Sequence, residues 1–370
     1  MSSKIRNFKV LHVITTIDSG GAEKHLLSLA KMQKNLGYSV SVVSIKGNDE
    51  LALKFREEGI EVFSQIRSFF KFLIVFLKHF RNNSTILHAH LPRAELFVYF
   101  AVKILNSKHK FVLSRHNQEV FLPGLDSKYG LFISGFLSRA ITRRANAVIA
   151  ISHEVERFLK RNSEVYLCTP IYVVHYGIGS ELVTKNRTSG RLCKIGTVAR
   201  LVEQKNLSFL LEALKNINEP ELKVEIVGKG KLHDKLIKEI HDLKIEKMVT
   251  IVEGVPNIQA FYKTLDLFIL PSKYEGFGLV ILEAINSNIP ILAARIPIME
   301  EILGSDFEGL FKLDSISGLV SLIEDCQDPN FRRILLSRQK LVMKRFTLER
   351  MINNTNLIYE TTLNNREGCQ

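Results

Sequence analysis

Two glutamates, Glu275 and Glu283, lie on either side of a turn that contains two glycines. The apolar run at residues 267–270 precedes this turn and has the length of a buried strand, and a run with helical spacing follows it. The first N–H groups of such a helix lack intrahelical partners and carry partial positive charge, so residues 278–280 are expected to bind a phosphate or diphosphate. Glu283 is expected to reach past the phosphates and accept hydrogen bonds from sugar hydroxyls.

Three histidines form a second group of residues with chemical potential. His88 and His90 lie two positions apart at the end of a strand-like run, and His116 follows the next such run. Histidines at this spacing on a strand point to the same face, which is one requirement of a metal site. No cysteine or carboxylate stands at the spacing of a further ligand. The sequence therefore argues against a metal site at these histidines.

A glycine pair, Gly20 and Gly21, follows the first strand-like run and opens a helix. Glycines at such a position let backbone N–H groups approach a phosphate or sugar closely, although a tight turn alone would also use them. The chain contains neither G-x-G-x-x-G nor G-x-x-x-x-G-K-[ST]. The absence of these motifs argues against a dinucleotide-dependent dehydrogenase and against a P-loop enzyme.

The elements that must position these residues alternate between strand-like runs and helix-length amphipathic segments. One series ends near residues 173–175, a polar stretch at 179–191 follows as a linker, and a second series begins at 194–197. This pattern predicts an α/β chain with two Rossmann-like, doubly wound parallel sheets. The expected domains are residues 1–185 and 186–345, and an amphipathic helix follows at 346–370. Ligands are expected in a crevice at the carboxyl ends of the strands.

Composition limits the class of protein. The 370 residues are 46% hydrophobic and 24% charged, as in a globular protein of two domains. The four cysteines are scattered without C-x-x-C spacing, which fits a reducing compartment. No secretory leader opens the chain, and no run approaches the ~18 apolar residues that span a bilayer. The sequence therefore predicts a cytoplasmic protein.

Charge is concentrated in the first half of the chain. The formal net charge is +13, and most of the excess of Lys and Arg lies before residue 186. Such a half attracts nucleic acid, an anionic membrane or an anionic substrate, and charge alone does not choose among them. The apolar segment 69–81 is edged with cations and is either a buried helix or a helix at a membrane interface. Residues 131–139, with Arg143 and Arg144, could extend the same surface.

The segment from Glu275 to Glu283, with Gly276, Phe277 and Gly278 inside it, resembles the E-x7-E signature of the retaining glycosyltransferases of family 4. Their fold is GT-B, in which two Rossmann-like domains enclose a cleft and a C-terminal helix crosses back to the first domain. Further motifs match in the family's order, and the resemblance covers nearly the whole chain. They are the glycine loop at Gly20 and Gly21, the S-x-H position of His116, the cations Arg200 and Lys205, and the G-x-G loop of Gly228 and Gly230.

Two departures from the family pattern stand near the donor site. Lys231 replaces a proline that usually follows the G-x-G loop, and residues 286–288 lack the family's glycine. These differences concern local loops near the donor sugar and nucleotide. The expected fold is unaffected.

The resemblance implies a role for each matching residue. Glu275 would hold the transferred sugar and Glu283 the ribose, while Arg200 and Lys205 would clamp the diphosphate. His116 would lie beside the donor sugar. The loops expected around the donor are those of Gly20, Gly21, Gly228, Gly230, Gly276, Phe277, Gly278, Leu279 and Val280. No metal or other cofactor is expected, because cations and helix dipoles stabilise the leaving diphosphate and the chain has no D-x-D pair.

The resemblance further implies the reaction and the partners. The expected enzyme transfers a sugar from a UDP- or GDP-linked donor to a glycolipid or lipid-linked oligosaccharide, in bacterial surface polysaccharide assembly such as that of lipopolysaccharide or capsule. It would work as a peripheral protein on the inner face of the plasma membrane. The alternatives are a GT-B nucleotide-sugar 2-epimerase, a non-catalytic sugar-nucleotide binder and a nucleic-acid-binding protein. Nucleic acid is disfavoured because the phenylalanines lie in apolar helical runs instead of alternating with cations.

Overall fold

The computed structural model describes residues 8–18, 20–80, 85–105, 109–121, 128–179, 190–255 and 257–364. The chain forms two compact units. The first combines residues 1–177 with residues 348–370, and the second comprises residues 178–347. Most of the polar stretch predicted as a linker, residues 180–189, lies outside the described ranges.

The first unit is organised around a seven-stranded sheet with the strand order β3-β2-β1-β4-β5-β6-β7, in which all neighbours pair in parallel. Its strands are β1 (Lys9–Ile14), β2 (Ser39–Ser44), β3 (Glu61–Phe63), β4 (Thr85–His90), β5 (Lys110–Arg115), β6 (Ala147–Ala150) and β7 (Ile171–Val173). Its helices are α1 (Gly21–Asn35), α2 (Ala52–Glu57), α3 (Phe69–Phe80), α4 (Pro92–Ile104), α5 (Lys128–Arg144), α6 (His153–Arg161) and α14 (Leu348–Asn364).

Strands β1, β4 and β6 are buried at nearly every position. This is the pattern of parallel strands whose two faces are both covered by helices, and it favours valine, isoleucine and leucine. The buried residues of these strands that are polar are His12 in β1 and Thr85, His88 and His90 in β4. Buried polar side chains of this kind need hydrogen-bond partners inside the unit.

Helix α14 completes the core of the first unit, although it lies far from that unit's strands in sequence. Met351, Ile352 and Tyr359 belong to the same buried apolar cluster as Val10 and Leu26. Their spacing of one, seven and eight residues places them on one face of the helix, which is the face that packs. The first unit is therefore built from two separate segments of the chain.

The second unit contains a six-stranded parallel sheet with the order β10-β9-β8-β11-β12-β13. Its strands are β8 (Lys194–Val198), β9 (Lys223–Val227), β10 (Val249–Val252), β11 (Leu267–Leu270), β12 (Ile291–Ala294) and β13 (Leu310–Phe311). Its helices are α7 (Leu207–Lys215), α8 (His233–Asp242), α9 (Ile258–Thr264), α10 (Leu279–Asn286), α11 (Pro297–Leu303), α12 (Ile316–Asp325) and α13 (Pro329–Met343), with a 3₁₀ turn at Glu203–Lys205.

Each unit is a doubly wound α/β sheet, and this confirms the predicted fold class. In both sheets the loops that leave the carboxyl ends of the strands carry most of the residues predicted to bind ligand. Among the described residues, no helix combines the length and the apolar character that crossing a bilayer requires.

Candidate active site

The loop between β11 and α10 changes chain direction at a left-handed glycine. Gly278 has φ 84° and ψ 55° and directly precedes the first residue of α10. A side chain is strained at this φ, and a Cβ atom there would lie 2.9 Å from Cε of Met299. Glycine therefore lets the loop enter the helix with the N–H groups of its first turn at the carboxyl edge of the sheet. Leu279 and Val280, the first two residues of α10, are partly exposed.

Glu275 is held inside this loop by two hydrogen bonds. Its Oε1 atom accepts from Oγ of Ser272 at 2.8 Å and from Nζ of Lys205 at 2.5 Å. Lys205 comes from the 3₁₀ turn after β8, the strand beside β11 in the sheet. The Glu275 and Lys205 side chains are only 7% and 12% exposed, so the ion pair is largely shielded from water. Two of the sequence-predicted residues are thus in direct contact.

Arg200 is connected to the same loop through one intermediate side chain. Its Nη2 atom lies 3.4 Å from Oε1 of Gln204, whose Nε2 atom donates to the carbonyl of Tyr274 at 2.9 Å. Arg200 is exposed, so its guanidinium is accessible to an anion in solution. Its role at a diphosphate stays a prediction.

Glu283 lies on α10, and its side chain is paired with a buried tyrosine. The Tyr262 hydroxyl donates to Oε2 of Glu283 at 3.0 Å. Burial raises the pKa of Tyr262 well above its usual value, and the neighbouring carboxylate raises it further. Because the hydroxyl remains protonated, it orients the carboxylate of Glu283 as an acceptor, whose contact with a ribose stays a prediction.

Gly228 and Gly230 have a packing role that the sequence did not reveal. A Cβ atom at Gly228 would overlap the carbonyl of Ala199, and one at Gly230 would overlap the carbonyl of Leu201. Between the two glycines, the N–H of Leu201 donates to the carbonyl of Lys229 at 2.9 Å. The loops after β8 and β9 can approach this closely only if positions 228 and 230 carry no side chain. That these glycines also contact a nucleotide remains a prediction.

Phe277 supports the site loop from inside the second unit. Its ring is 2% exposed and meets the ring of Phe346 edge-on, with centroids 5.7 Å apart. Only the backbone of Phe277 could therefore face a ligand in this arrangement. The neighbouring Gly276 is partly exposed.

In the first unit, Gly20 is the N-cap of α1 and Gly21 is its exposed first residue. The carboxylate of Glu23 lies against Gly20 and accepts from Oγ1 of Thr16 at 2.6 Å. The carboxylate of Glu23 therefore occupies the space beside the glycine loop. Its predicted contact with a donor or acceptor stays untested.

His116 is buried, and both of its ring nitrogens are engaged within the first unit. Nε2 lies 3.1 Å from Nδ1 of His90, and Nδ1 lies 2.6 Å from the hydroxyl of Tyr176. Burial lowers the pKa of His116 to about 3, so the ring is neutral at pH 7. A sugar hydroxyl could bind His116 only by replacing one of these two partners.

Sequence reasoning missed a buried acidic residue next to His116. Glu95 on α4 lies 2.8 Å from Nη2 of Arg115, whose Nη1 atom is 3.7 Å from Glu164. Burial raises the pKa of Glu95 to about 7, although Arg115 opposes the change. Glu95, Arg115 and His116 line a cavity of about 80 Å³. No local pattern indicates this cluster, because its members come from α4, the end of β5 and the segment after α6.

Two doubly wound parallel sheets, one with a helix N-terminus and a lysine–glutamate pair at its carboxyl edge, define a glycosyltransferase of the GT-B class. The chain matches the family model described as glycosyltransferase family 4 over residues 19–182 and the one described as glycosyl transferases group 1 over residues 181–325. It belongs to family 4, the group 1 glycosyltransferases.

Similar proteins include the O-antigen biosynthesis glycosyltransferase WclY of Escherichia coli, which is 24% identical over 78% of this chain and 81% of that one. The UDP-N-acetylglucosamine–peptide N-acetylglucosaminyltransferase GtfA subunit of Streptococcus agalactiae is 30% identical over 34% of this chain. That match spans only 25% of the longer relative. Among solved structures, Anabaena Alr3699/HepE in complex with UDP and glucose superimposes with a TM-score of 0.80 at 19% identity, over 95% of this chain and 99% of that one. This likeness establishes the fold.

Proposed function

We propose that this chain is a retaining, metal-independent glycosyltransferase that moves a sugar from a UDP- or GDP-linked donor to a glycolipid or lipid-linked oligosaccharide acceptor. The observation that carries the proposal is the contact between Lys205 and Glu275 beside the left-handed Gly278 that opens α10. A cation, a carboxylate and a helix N-terminus meet there. These groups match the diphosphate and the sugar hydroxyls of a nucleotide sugar.

In the proposed donor complex, the first-turn N–H groups of α10 bind the diphosphate together with Lys205 and Arg200. The leaving diphosphate gains negative charge as the glycosidic bond breaks, and preorganised cations and dipoles stabilise this charge where it develops. Glu283, oriented by Tyr262, binds the ribose. A metal ion has no required step in this scheme.

The proposed reaction retains the anomeric configuration. The acceptor hydroxyl attacks the anomeric carbon from the face that the diphosphate leaves, so one C–O bond forms as the other breaks. The hydroxyl proton passes to an oxygen of the departing phosphate. Glu275 accepts hydrogen bonds from the transferred sugar, and Lys205 has further N–H donors to share between Glu275 and the diphosphate.

A lipid-bound acceptor is supported by a surface on the first unit. Its apolar residues are exposed on three helices that are consecutive in the chain, and we call them the apolar surface: Phe70, Ile74 and Leu77 of α3, Phe100 and Ile104 of α4, and Phe132, Ile133 and Phe136 of α5. On α3, the opposite face carries the buried Phe72, Phe76 and Phe80. The helix that the sequence left as either buried or interfacial is thus buried on one face and exposed on the other.

The charges on these helices are of one sign. In the described parts of α3, α4 and α5 the only acidic residue is Glu95, which is buried and paired with Arg115. The cations are Lys71, Lys78, Arg93, Lys103, Arg139, Arg143 and Arg144. Exposed apolar side chains among cations, with no exposed acidic residue on the described parts of the same helices, are the features of a surface that rests on anionic lipid. Arg81, which the sequence also assigned to this segment, lies outside the described residues.

Because the relative WclY is named for O-antigen biosynthesis, we place the acceptor in bacterial surface polysaccharide assembly, on the inner face of the plasma membrane. The test is to incubate the purified protein with UDP- and GDP-sugars and to measure release of the nucleoside diphosphate, without acceptor and with undecaprenyl-linked saccharides. NMR of the product then gives its anomeric configuration. Inversion would refute the retaining mechanism, a 2-epimerised donor would identify an epimerase, and donor binding without turnover would identify a non-catalytic binder.

A further inference from the structure

A chain of hydrogen bonds runs through the core of the first unit from α1 to the segment after β7. Oε1 of Gln33 lies 2.7 Å from Nε2 of His12, and Nδ1 of His12 lies 3.0 Å from Nε2 of His90. Nδ1 of His90 lies 3.1 Å from Nε2 of His116, whose Nδ1 is 2.6 Å from the hydroxyl of Tyr176. We call these five residues the histidine chain.

The three imidazoles of the histidine chain are neutral. Burial lowers the pKa of His12 to about 4 and that of His116 to about 3, and it lowers the pKa of His90 well below its usual value. A neutral imidazole has one N–H donor and one acceptor nitrogen. The direction of a single hydrogen bond therefore determines the direction of every other bond in the chain.

Gln33 sets this direction because its carbonyl oxygen can only accept. Nε2 of His12 must then carry the proton, which leaves Nδ1 of His12 to accept from Nε2–H of His90. By the same step, Nδ1 of His90 accepts from Nε2–H of His116. Nδ1 of His116 is left as an acceptor, and the Tyr176 hydroxyl donates to it.

A second branch of hydrogen bonds runs beside the histidine chain. Nε2 of Gln33 is buried and makes no hydrogen bond to any described residue, although the amide lowers the pKa of the nearby Tyr359 on α14 against the larger raising effect of burial. The Tyr359 hydroxyl in turn lies 2.6 Å from Nδ1 of His88, whose Nε2 is 2.7 Å from Oγ of Ser114.

We propose that Gln33, His12 and His90 are positioning residues that fix His116 as its Nε2–H tautomer, so that Nδ1 accepts a hydrogen bond from Tyr176 in the free protein and from a substrate hydroxyl during the reaction. The role of the substrate rests on the proposed function, whereas the tautomer does not. His116 also lines the cavity beside Glu95, which gives a small polar group access to this end of the chain.

A metal site is the competing explanation of the same cluster. His12, His88 and His90 bring potential ligand atoms within 4.8 Å of one another. All six of their ring nitrogens already have a hydrogen-bond partner, however. A metal could bind only by displacing several of these bonds, whereas the tautomer pattern satisfies all of them at once.

The first experiment is ¹⁵N NMR of the histidine rings in the full-length protein at pH 7. The neutral Nε2–H pattern is expected at His12, His90 and His116, and assignment by Tyr176→Phe should shift chiefly Nδ1 of His116. An Nδ1–H tautomer or an imidazolium at His116 would overturn the proposal without any reference to activity. A joint shift of His12, His88 and His90 on addition of zinc chloride would overturn it in favour of a metal site.

The second experiment removes the end of the chain. In Gln33→Met the fixed acceptor is lost, and the Tyr176 hydroxyl can serve either direction, so the two nitrogen shifts of His116 should move toward each other. Turnover should fall by ~10-fold to 10²-fold with little change in the donor KM, because the acceptor atom is misplaced while donor contacts remain. Gln33→Glu, which supplies a carboxylate acceptor to His12, should restore both the tautomer and most of the turnover.

The matched control is Gln339→Met in the second unit. Gln339 is equally buried and bonds the N–H of Ile291 and the carbonyl of Ile289, so it reproduces the loss of a buried amide without touching the chain. Its His116 nitrogens should be unchanged. An unaltered His116 tautomer in Gln33→Met, or an altered tautomer with full turnover, would overturn the proposal. Absence of activity in the wild type would instead count against the transferase function alone.

Discussion

Nζ of Lys205 lies 2.5 Å from Oε1 of Glu275, so the residue predicted to bind the diphosphate and the residue predicted to bind the sugar form an ion pair with each other. The pair is largely shielded from water, where opposite charges interact more strongly than at the surface. In the free protein each residue neutralises the other, and the Ser272 hydroxyl also donates to the carboxylate. A bound donor would compete for Lys205 while leaving Glu275 in place.

Replacing Lys205 by alanine should lower turnover by ~10²-fold or more, because a preorganised charge at the leaving group is removed. The melting temperature should also fall, since Glu275 loses its charged partner. Steady-state release of nucleoside diphosphate measures the first effect. Lys273→Ala, which removes an exposed lysine from the same loop, is the control and should behave like the wild type. An unchanged kcat with a raised KM would restrict Lys205 to ground-state binding.

Glu283→Gln should chiefly raise the donor KM, because its amide oxygen still reaches a ribose and still accepts from Tyr262 but is weaker than a carboxylate. Glu275→Gln should chiefly lower kcat, because this residue is assigned to the sugar being transferred. Donor saturation curves of the two variants separate these effects. The opposite pattern would require the two roles to be exchanged.

Activity should persist in excess EDTA, because the proposed charge stabilisation uses Lys205, Arg200 and the start of α10. The same nucleoside diphosphate assay measures this after dialysis against the chelator, with a known manganese-dependent transferase as the control. Loss of activity that manganese or magnesium restores would refute a metal-independent mechanism. In that case the cluster of His12, His88 and His90 would be the first place to search for the metal.

The first unit should lose stability as the pH falls from about 6.5 to about 4. Folded His12 and His116 have pKa values of about 4 and about 3 instead of 6.5, so below pH 6.5 the unfolded chain binds protons that the folded unit does not. Stability is then fully present above pH 6.5 and falls by up to ~1.4 kcal/mol per pH unit for each such proton. The other buried histidines, His25, His88 and His90, act in the same direction.

Glu95 acts in the opposite direction, because its pKa is raised to about 7 and the folded unit keeps a proton that the unfolded chain releases above about 4.5. The contribution of one carboxyl group is opposed by those of five histidines, so the first unit should still lose stability as the pH falls. Hydrogen exchange at pH 7, 6 and 5, corrected for the intrinsic rate, should show increasing opening of β1 and β4. Strands β8 and β11 are the internal control, since all the buried histidines of the described residues lie in the first unit. Equal opening of both sheets would contradict this account.

Vesicles with anionic lipid should bind the protein at low salt and release it at high salt, because the Debye length falls from about 10 Å at 0.1 M to about 3 Å at 1 M. Changing Lys71 and Lys78 together to glutamate should weaken this binding, while hydrolysis of a soluble donor continues. Flotation measures the binding. The matched control reverses Lys215 and Lys238, two exposed lysines of the second unit. Tight binding of duplex DNA or RNA without vesicle binding would favour the nucleic-acid alternative.

The fold could be predicted from the sequence because buried parallel strands are largely apolar runs, and β6, β11 and β12 are apolar at every position. Lys205 and Glu275 come close because they lie in the loops that follow β8 and β11, two adjacent strands of one sheet, and the sequence placed both motifs in such loops. The histidine chain could not be predicted in this way. Gln33 and His12 lie in different elements, and a single polar residue in an apolar run carries no local signal of its partner.

The double character of α3 was equally hidden in the sequence. Phenylalanines occur on both the buried and the exposed side of this helix, as Phe72 and Phe70 show, so the apolar pattern alone could not tell which side packs. Packing against α4 determines which side of α3 is buried, since the ring centroids of Phe72 and Phe97 are 5.8 Å apart. That contact depends on the tertiary arrangement of two separate segments.

Helix α14 has a consequence for how the chain acquires its structure during synthesis. The strands of the first unit leave the ribosome before the second unit is made, but Met351, Ile352 and Tyr359 of their core are translated only afterwards. The second unit is one continuous segment and is expected to mature first, reversing the usual N-terminal-first order. Until residues 348–364 emerge, the buried cluster that contains Val10 and Leu26 is incomplete, and His88 lacks its contact with the Tyr359 hydroxyl. The nascent first unit is then a natural client for chaperones.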